Sequence, residues 1–136
     1  MPLTSKPIFT CVALAALCNV ALAKSDPECL QHLGGGYADT LCYGDLSADL
    51  AKDNKRIYEK VRAKIPIGNP HTKLLDAYMA SQDGALKFCE LQRDAGAGWA
   101  SNPDGSMYPA LYAECGYDLH KSQNAFLTAL LKMSEW

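Results

Sequence analysis

The sequence predicts an all-α domain: a small antiparallel three-helix arrangement with a short N-terminal extension, stapled by two disulfides. Three observations carry this. Apolar residues recur at three- and four-residue spacing in three long stretches, the mark of amphipathic helices. No stretch sustains the alternation of Val, Ile and aromatic residues that a half-buried strand needs. Four cysteines remain once an N-terminal export segment is set aside.

That segment comes first in the chain. Lys6 supplies a short positive region, and Ile8 to Val20 is apolar apart from Thr10 and Asn19. Ala21-Leu22-Ala23 then gives the small-x-small pattern of a cleavage site. Residues 1–23 therefore read as a secretory signal peptide. The apolar run is shorter than the roughly 20 residues that span a bilayer. Leu17 precedes Cys18, where a lipoprotein signal carries Gly, Ala or Ser, so a lipid anchor is disfavoured. The expected location is the periplasm or the medium, and the expected domain is residues 24–136.

Removing residues 1–23, which carry one Lys and no acid, leaves 113 residues with 12 Lys/Arg against 15 Asp/Glu, a net charge of −3. Such a chain lacks the basic footprint of a nucleic-acid or anionic-membrane binder. Cys29, Cys42, Cys89 and Cys115 form an even set in an exported chain, which reads as a disulfide framework with three connectivities open. Nearest-neighbour pairing, Cys29–Cys42 and Cys89–Cys115, is favoured. The spacings of 13, 47 and 26 residues, with no C-x-x-C, argue against a zinc site.

Lys24 to Cys42 reads as a short helical or irregular lead-in, interrupted by Gly34-Gly35-Gly36. The triplet lacks the Lys-Ser/Thr of a phosphate loop and reads as a turn, with Asp39 capping a short piece that carries Leu41 and Cys42. Gly44 marks a kink. A long helix then spans about Asp45 to Lys64, with Leu46, Leu50, Ile57, Val61 and Ile65 on one face at steps of four, seven, four and four. Charged residues such as Asp49, Lys52, Asp53, Arg56 and Lys60 cover the remainder as a solvated, pair-laced surface.

Pro66-Ile67-Gly68 ends that helix. Asn69 then serves as N-cap with Pro70 at the first helical position of a helix to about Gln92. Its apolar side is Leu74, Leu75, Tyr78, Ala85, Leu86 and Cys89, with Gln82 in line between them. Asp94 to Ser106 is a loop, and Asn102-Pro103-Asp104-Gly105 suits a type I turn. Trp99 lies in this loop, either as an exposed binding anchor or folded over the core as a lid. Ser106 caps a third helix whose stripe is Tyr108, Leu111, Tyr112, Cys115, Leu119, Phe126 and Leu130, widened by Leu127, Leu131 and Met133.

Catalytic and cofactor signatures are missing. There is no G-x-S-x-G, no H-E-x-x-H and no EF-hand loop. His71 sits in a first helical turn. His120 stands two residues from Asp118, so the two point to different sides of a helix. The expectation is a non-enzyme without metal or cofactor.

The cysteine order and the segment carrying Gly105, Ser106, Pro109, Tyr112, Cys115, Leu119 and Leu127 resemble the LprI-like lysozyme-inhibitor family, small exported bacterial domains. The early pair Cys29 and Cys42, and Cys89 at the end of the second helix, fit the same order. The chain departs from that pattern elsewhere. Where the family carries a Trp and an Arg-Asp pair in helix two, it has Ser81, Ala85 and Leu86. Where the family carries Thr and Arg after the last Leu, it has His120 and Gln123.

The resemblance implies a protein partner: a periplasmic inhibitor that binds a cell-wall hydrolase, a lysozyme above all, through a disulfide-framed loop. The loop candidates are Trp99, Asn102, Asp104, Ser106 and Tyr108. A net charge of −3 suits a basic target. The competing expectation is an immunity protein that neutralises a periplasmic toxin delivered by a neighbouring bacterium, for example through type VI secretion.

Overall fold

A computed structural model describes Cys29 and residues 36–135. The expected signal peptide (1–23), most of the lead-in before Gly36, and Trp136 lie outside the described residues. Among the described residues there are helices and no strands. They are α1 (Gly36–Lys64), α2 (His71–Ala85), a 3₁₀ turn (Leu86–Phe88), α3 (Cys89–Gly96) and α4 (Met107–Met133). The α2–3₁₀–α3 run forms one broken rod, so the molecule is three rods, up, down and up. Consecutive rods are antiparallel. The first and third, α1 and α4, are therefore parallel: Gly36 lies against Ser106, Tyr43 against Tyr117, and Asn54 against Gln123.

The α1–α4 seam runs the length of the molecule and carries two apolar clusters. Near the N-terminal ends, Cys29, Tyr43 and Tyr117 are buried, with Leu46, Leu50 and Ala113 packed on them. The Tyr43 and Tyr117 rings lie 5.7 Å apart between centroids. Near the C-terminal ends, Ile57, Val61, Leu75 and Leu127 form the second cluster, where α2 joins. A polar belt separates the two. In it Asn54 Nδ2 donates to Gln123 Oε1 and to the His120 carbonyl, both at 2.9 Å, and Gln123 Nε2 reaches Met79 Sδ at 3.3 Å. The Ser47 hydroxyl lies 2.7 Å from His120 Nδ1, and Asn124 Nδ2 donates to Asp53 at 3.0 Å.

Both disulfides of the nearest-neighbour pairing are present, Cys29–Cys42 and Cys89–Cys115. They point to an oxidising compartment outside the cytosol. No described helix is long and apolar enough to cross a membrane.

Several local expectations are corrected. Gly44 makes no kink; α1 continues through it and starts nine residues earlier than Asp45. A glycine inside a helix costs about 1 kcal/mol relative to Ala. The neighbours offset this, because Cys42 is tied to Cys29 and Tyr43 is buried against Tyr117. Asp39 lies within the helix rather than capping a separate turn. The second helix does not end at Gln92. It tightens into the 3₁₀ turn after Gly84 and runs on to Gly96.

Asn69 does cap α2: its Oδ1 accepts from the His71 backbone N–H at 2.9 Å. Ser106, by contrast, makes no side-chain cap, because its backbone is already helical (φ −72°, ψ −19°). A capping hydroxyl needs an extended backbone to aim back at the first free N–H groups.

The stripe of α4 is also re-phased. Leu127 is buried as expected, but its buried companions are Gly116, Tyr117 and Gln123, while Tyr112 and Phe126 are exposed. The cause is that α4 has two neighbours. One face meets α1 along the whole length, and another meets α3 at Leu111 and Cys115.

Candidate functional site

The loop between α3 and α4 is built from its base upward. Cys89 and Cys115, 26 residues apart, clamp the start of α3 to the second turn pair of α4. Arg93 Nε donates to the Asp94 carboxylate at 2.7 Å, with both side chains about one-fifth exposed. That hydrogen bond holds the Arg93 guanidinium above its ordinary value. The Asp94 carbonyl then accepts from the backbone N–H of Ala97 at 3.0 Å and of Trp99 at 2.6 Å. This closes the helix and turns the chain back on itself.

Trp99 is left in the left-handed region at φ 69°, next to Gly98 at φ 64°. A bulky side chain there is uncommon and costs on the order of 1–3 kcal/mol. The residue is 70 % exposed. The lid alternative is thus excluded: Trp99 stands in solvent.

Asn102 also has positive φ, at 48°. The expected type I turn is absent, since Pro103 and Asp104 lie in neither a turn nor a bend. Proline normally pushes the preceding residue to extended backbone; here Asn102 makes the reversal itself. Gly105, at φ 123°, makes the next one, with the Tyr108 ring 3.4 Å from where a Cβ would stand. Ser106 lies at the base of α4, and its carbonyl is so close to Gly36 that a Cβ there would sit 1.9 Å away.

The five loop candidates therefore share one end of the molecule but not one cluster. Trp99, Asn102 and Asp104 are exposed, and no hydrogen bond or ion pair engages their side chains. Tyr108 is half-buried and buttresses Gly105. Ser106 spends its backbone on the α1 contact. Sequence reasoning missed Tyr37 and Met107, exposed beside this same helix start, and Leu91, exposed on α3. The signal for Tyr37 was available only by knowing that α1 begins at Gly36 and abuts Ser106.

The polar belt also brings a hydroxyl and an imidazole together, Ser47 and His120 Nδ1 at 2.7 Å. Burial pushes the His120 imidazole below its ordinary value, with Asp83 acting weakly against this. Ser47 and His120 both sit in mid-helix, where main-chain N–H groups are already committed to the helix and cannot hold an oxyanion. Nearer the start of α4, burial pushes the Glu114 carboxyl up, helped by Asp118 and Asp39. Among the described residues no group of three or more His, Cys, Asp or Glu could hold a metal ion.

Comparison with known protein families, with curated proteins and with solved structures yields no match.

Proposed function

We propose that this chain is an exported inhibitor that presents the Trp99 loop to the cleft of a cell-wall hydrolase of the lysozyme type. The observation that carries the proposal is Trp99 itself, 70 % exposed and fixed at φ 69° inside a loop closed by Cys89–Cys115. Tryptophan is the residue type most enriched among binding hot spots. A loop ordered before it meets its partner loses less entropy on binding. Tyr37 and Met107 extend the apolar contact at the same end, in keeping with the aromatic and methionine enrichment of interface centres. The sequence resemblance and the net charge of −3 after removal of residues 1–23 supply the target class.

The test is a lytic assay. The oxidised protein, purified from the periplasm of an expressing strain, is titrated into several lysozymes. Inhibition should saturate at one inhibitor per enzyme. Trp99→Ala should weaken it by about thirtyfold, the effect of losing a hot spot of about 2 kcal/mol. Unchanged lysis by every lysozyme, or full inhibition by the Trp99→Ala protein, would sink the proposal.

A further inference from the structure

Two Asp-Gly steps occur in the sequence, Asp83-Gly84 and Asp104-Gly105. This dipeptide carries a latent reaction. The glycine backbone nitrogen can attack the carboxyl carbon of the aspartate side chain, because glycine has no Cβ to block the approach. The two steps share their residue types and their exposure: Asp83, Gly84, Asp104 and Gly105 all lie at the surface. Only the backbone around them differs.

Asp83-Gly84 lies inside α2 (His71–Ala85). There a helical backbone commits the Gly84 N–H to the carbonyl four residues earlier. Closing a five-membered ring on Asp83 would also take its ψ out of the helical range, so the turn must open first. Space is not the obstacle, since nothing stands within 4 Å of where a Gly84 Cβ would be.

Asp104-Gly105 lies between α3 and α4, outside every helix. Among the described residues no hydrogen bond or ion pair holds the Asp104 carboxylate, and no main-chain hydrogen bond holds the Gly105 N–H. Gly105 sits at φ 123°, a backbone that residues with a Cβ rarely adopt. Asp104 itself lies in neither a turn nor a bend. No hydrogen bond has to break before its main chain reaches the ring-closing conformation.

We propose that Asp104 is a site of spontaneous covalent modification, which converts it to isoaspartate through a cyclic imide with Gly105. The Gly105 nitrogen bonds to Asp104 Cγ, and the carboxyl hydroxyl leaves with the amide proton as one water. A water then adds back to the imide. Opening at the side-chain carbonyl restores aspartate. Opening at the main-chain carbonyl leaves the chain running through the Asp104 side chain, one methylene longer, with the former main-chain carbonyl as the free carboxylate. The lengthened link comes just before Ser106, whose carbonyl is packed against Gly36. The site stands without the inhibitor reading, and its test needs no target.

The experiment holds the oxidised, folded protein in mildly acidic heavy-oxygen water at physiological temperature. The protein is then reduced and cut with trypsin in ordinary water. The two sites fall in separate peptides, Leu74–Lys87 and Asp94–Lys121. Heavy-oxygen uptake and electron-transfer fragmentation locate the isoaspartate. It should accumulate at Asp104 at least about tenfold faster than at Asp83, whose helical turn has to open before the ring can close. In urea, with both disulfides reduced, the two rates should converge to within about twofold, because neither site then keeps its native backbone. Absence of isoaspartate at Asp104 in the folded protein overturns the proposal, as does an equal rate at Asp83. A difference that survives unfolding overturns its structural basis and moves the cause to the neighbouring side chains.

Discussion

Two glycines of α1 show how much a single Cβ decides. Gly36 is buried, and a methyl group there would collide with the Ser106 carbonyl at 1.9 Å. Gly44 is exposed, with nothing within 4 Å of the same position. Gly36→Ala should therefore destabilise the fold by about 1–3 kcal/mol through overpacking against backbone. Gly44→Ala should stabilise it by about 0.5–1 kcal/mol by removing a flexible residue from a helix interior. Urea denaturation of the oxidised proteins reads both, and effects of the same sign would refute the Gly36–Ser106 contact.

His120 gives a second prediction at this scale. Burial holds its folded pKa below the unfolded value of about 6.5. Above that pH neither state carries the proton. As the pH falls through about 6.5 toward the folded value, the unfolded chain takes up a proton that the folded chain refuses, so stability falls. Glu114 works in the opposite sense at lower pH, because its raised folded pKa makes the folded state the better proton binder. Comparing wild type with His120→Gln cancels that contribution. Melting temperatures between pH 7.5 and 5.5 should fall more steeply for wild type, and parallel curves would contradict the assignment.

At the scale of elements, the organising contact is the polar belt between α1 and α4. Asn54 is 1 % exposed and Gln123 is 3 % exposed. Asn54 spends its amide N–H groups on Gln123 and the His120 carbonyl, while its own Oδ1 finds no protein partner. Asn54→Leu alone strands the Gln123 carbonyl oxygen and should cost about 1–3 kcal/mol. Asn54→Leu with Gln123→Leu strands neither group and should lie closer to wild type than the sum of the singles. Additive effects in that double-mutant cycle would show that the two side chains act independently.

This belt was also written in the sequence, though not as an apolar signal. The α1 stripe steps by seven from Leu50 to Ile57, and the α4 stripe steps by seven from Leu119 to Phe126. Asn54 and Gln123 fill those gaps in phase. The rods followed from local periodicity, the α2 cap from Asn69 before Pro70, and the cysteine pairing from nearest neighbours in an even set. The phase of α4 did not, because two neighbours pull one helix toward two faces. Trp99 was legible as a loop residue. Its exposure was not, since the Asp94 carbonyl and the left-handed backbone that hold it outward arise from the end of α3 at Gly96, four residues beyond the expected helix end.

At the scale of the molecule, the middle rod is held unevenly. Near its start, Leu75 is buried in the core, the Tyr58 hydroxyl and Arg62 meet Asp76, and the Tyr78 ring packs tilted against Phe126 with centroids 4.7 Å apart. Along the 3₁₀ turn and α3, the Cys89–Cys115 bond is the principal tie, assisted by Leu86 beside Gly116 and Leu111 beside Gly96. Closing a 26-residue separation stabilises by about 3–4 kcal/mol in the chain-entropy treatment. That is a large share of the ~5–15 kcal/mol that holds a domain folded. Cys89→Ser with Cys115→Ser should lower the melting temperature by on the order of 15 °C. The loss should also be local in its onset. Amides of α3 and of the segment 97–106 should lose hydrogen-exchange protection well before those of α1 and α4, whose seam contains no part of this bridge. Cys29→Ser with Cys42→Ser should leave α3 protected, because that bridge ties α1 to the lead-in and touches neither α3 nor the loop. Uniform loss of protection across all helices in the first variant would mean that the three rods fold as one indivisible unit. A Trp99 loop still ordered after the bond is gone would move its fixation from the disulfide to the Arg93–Asp94 base.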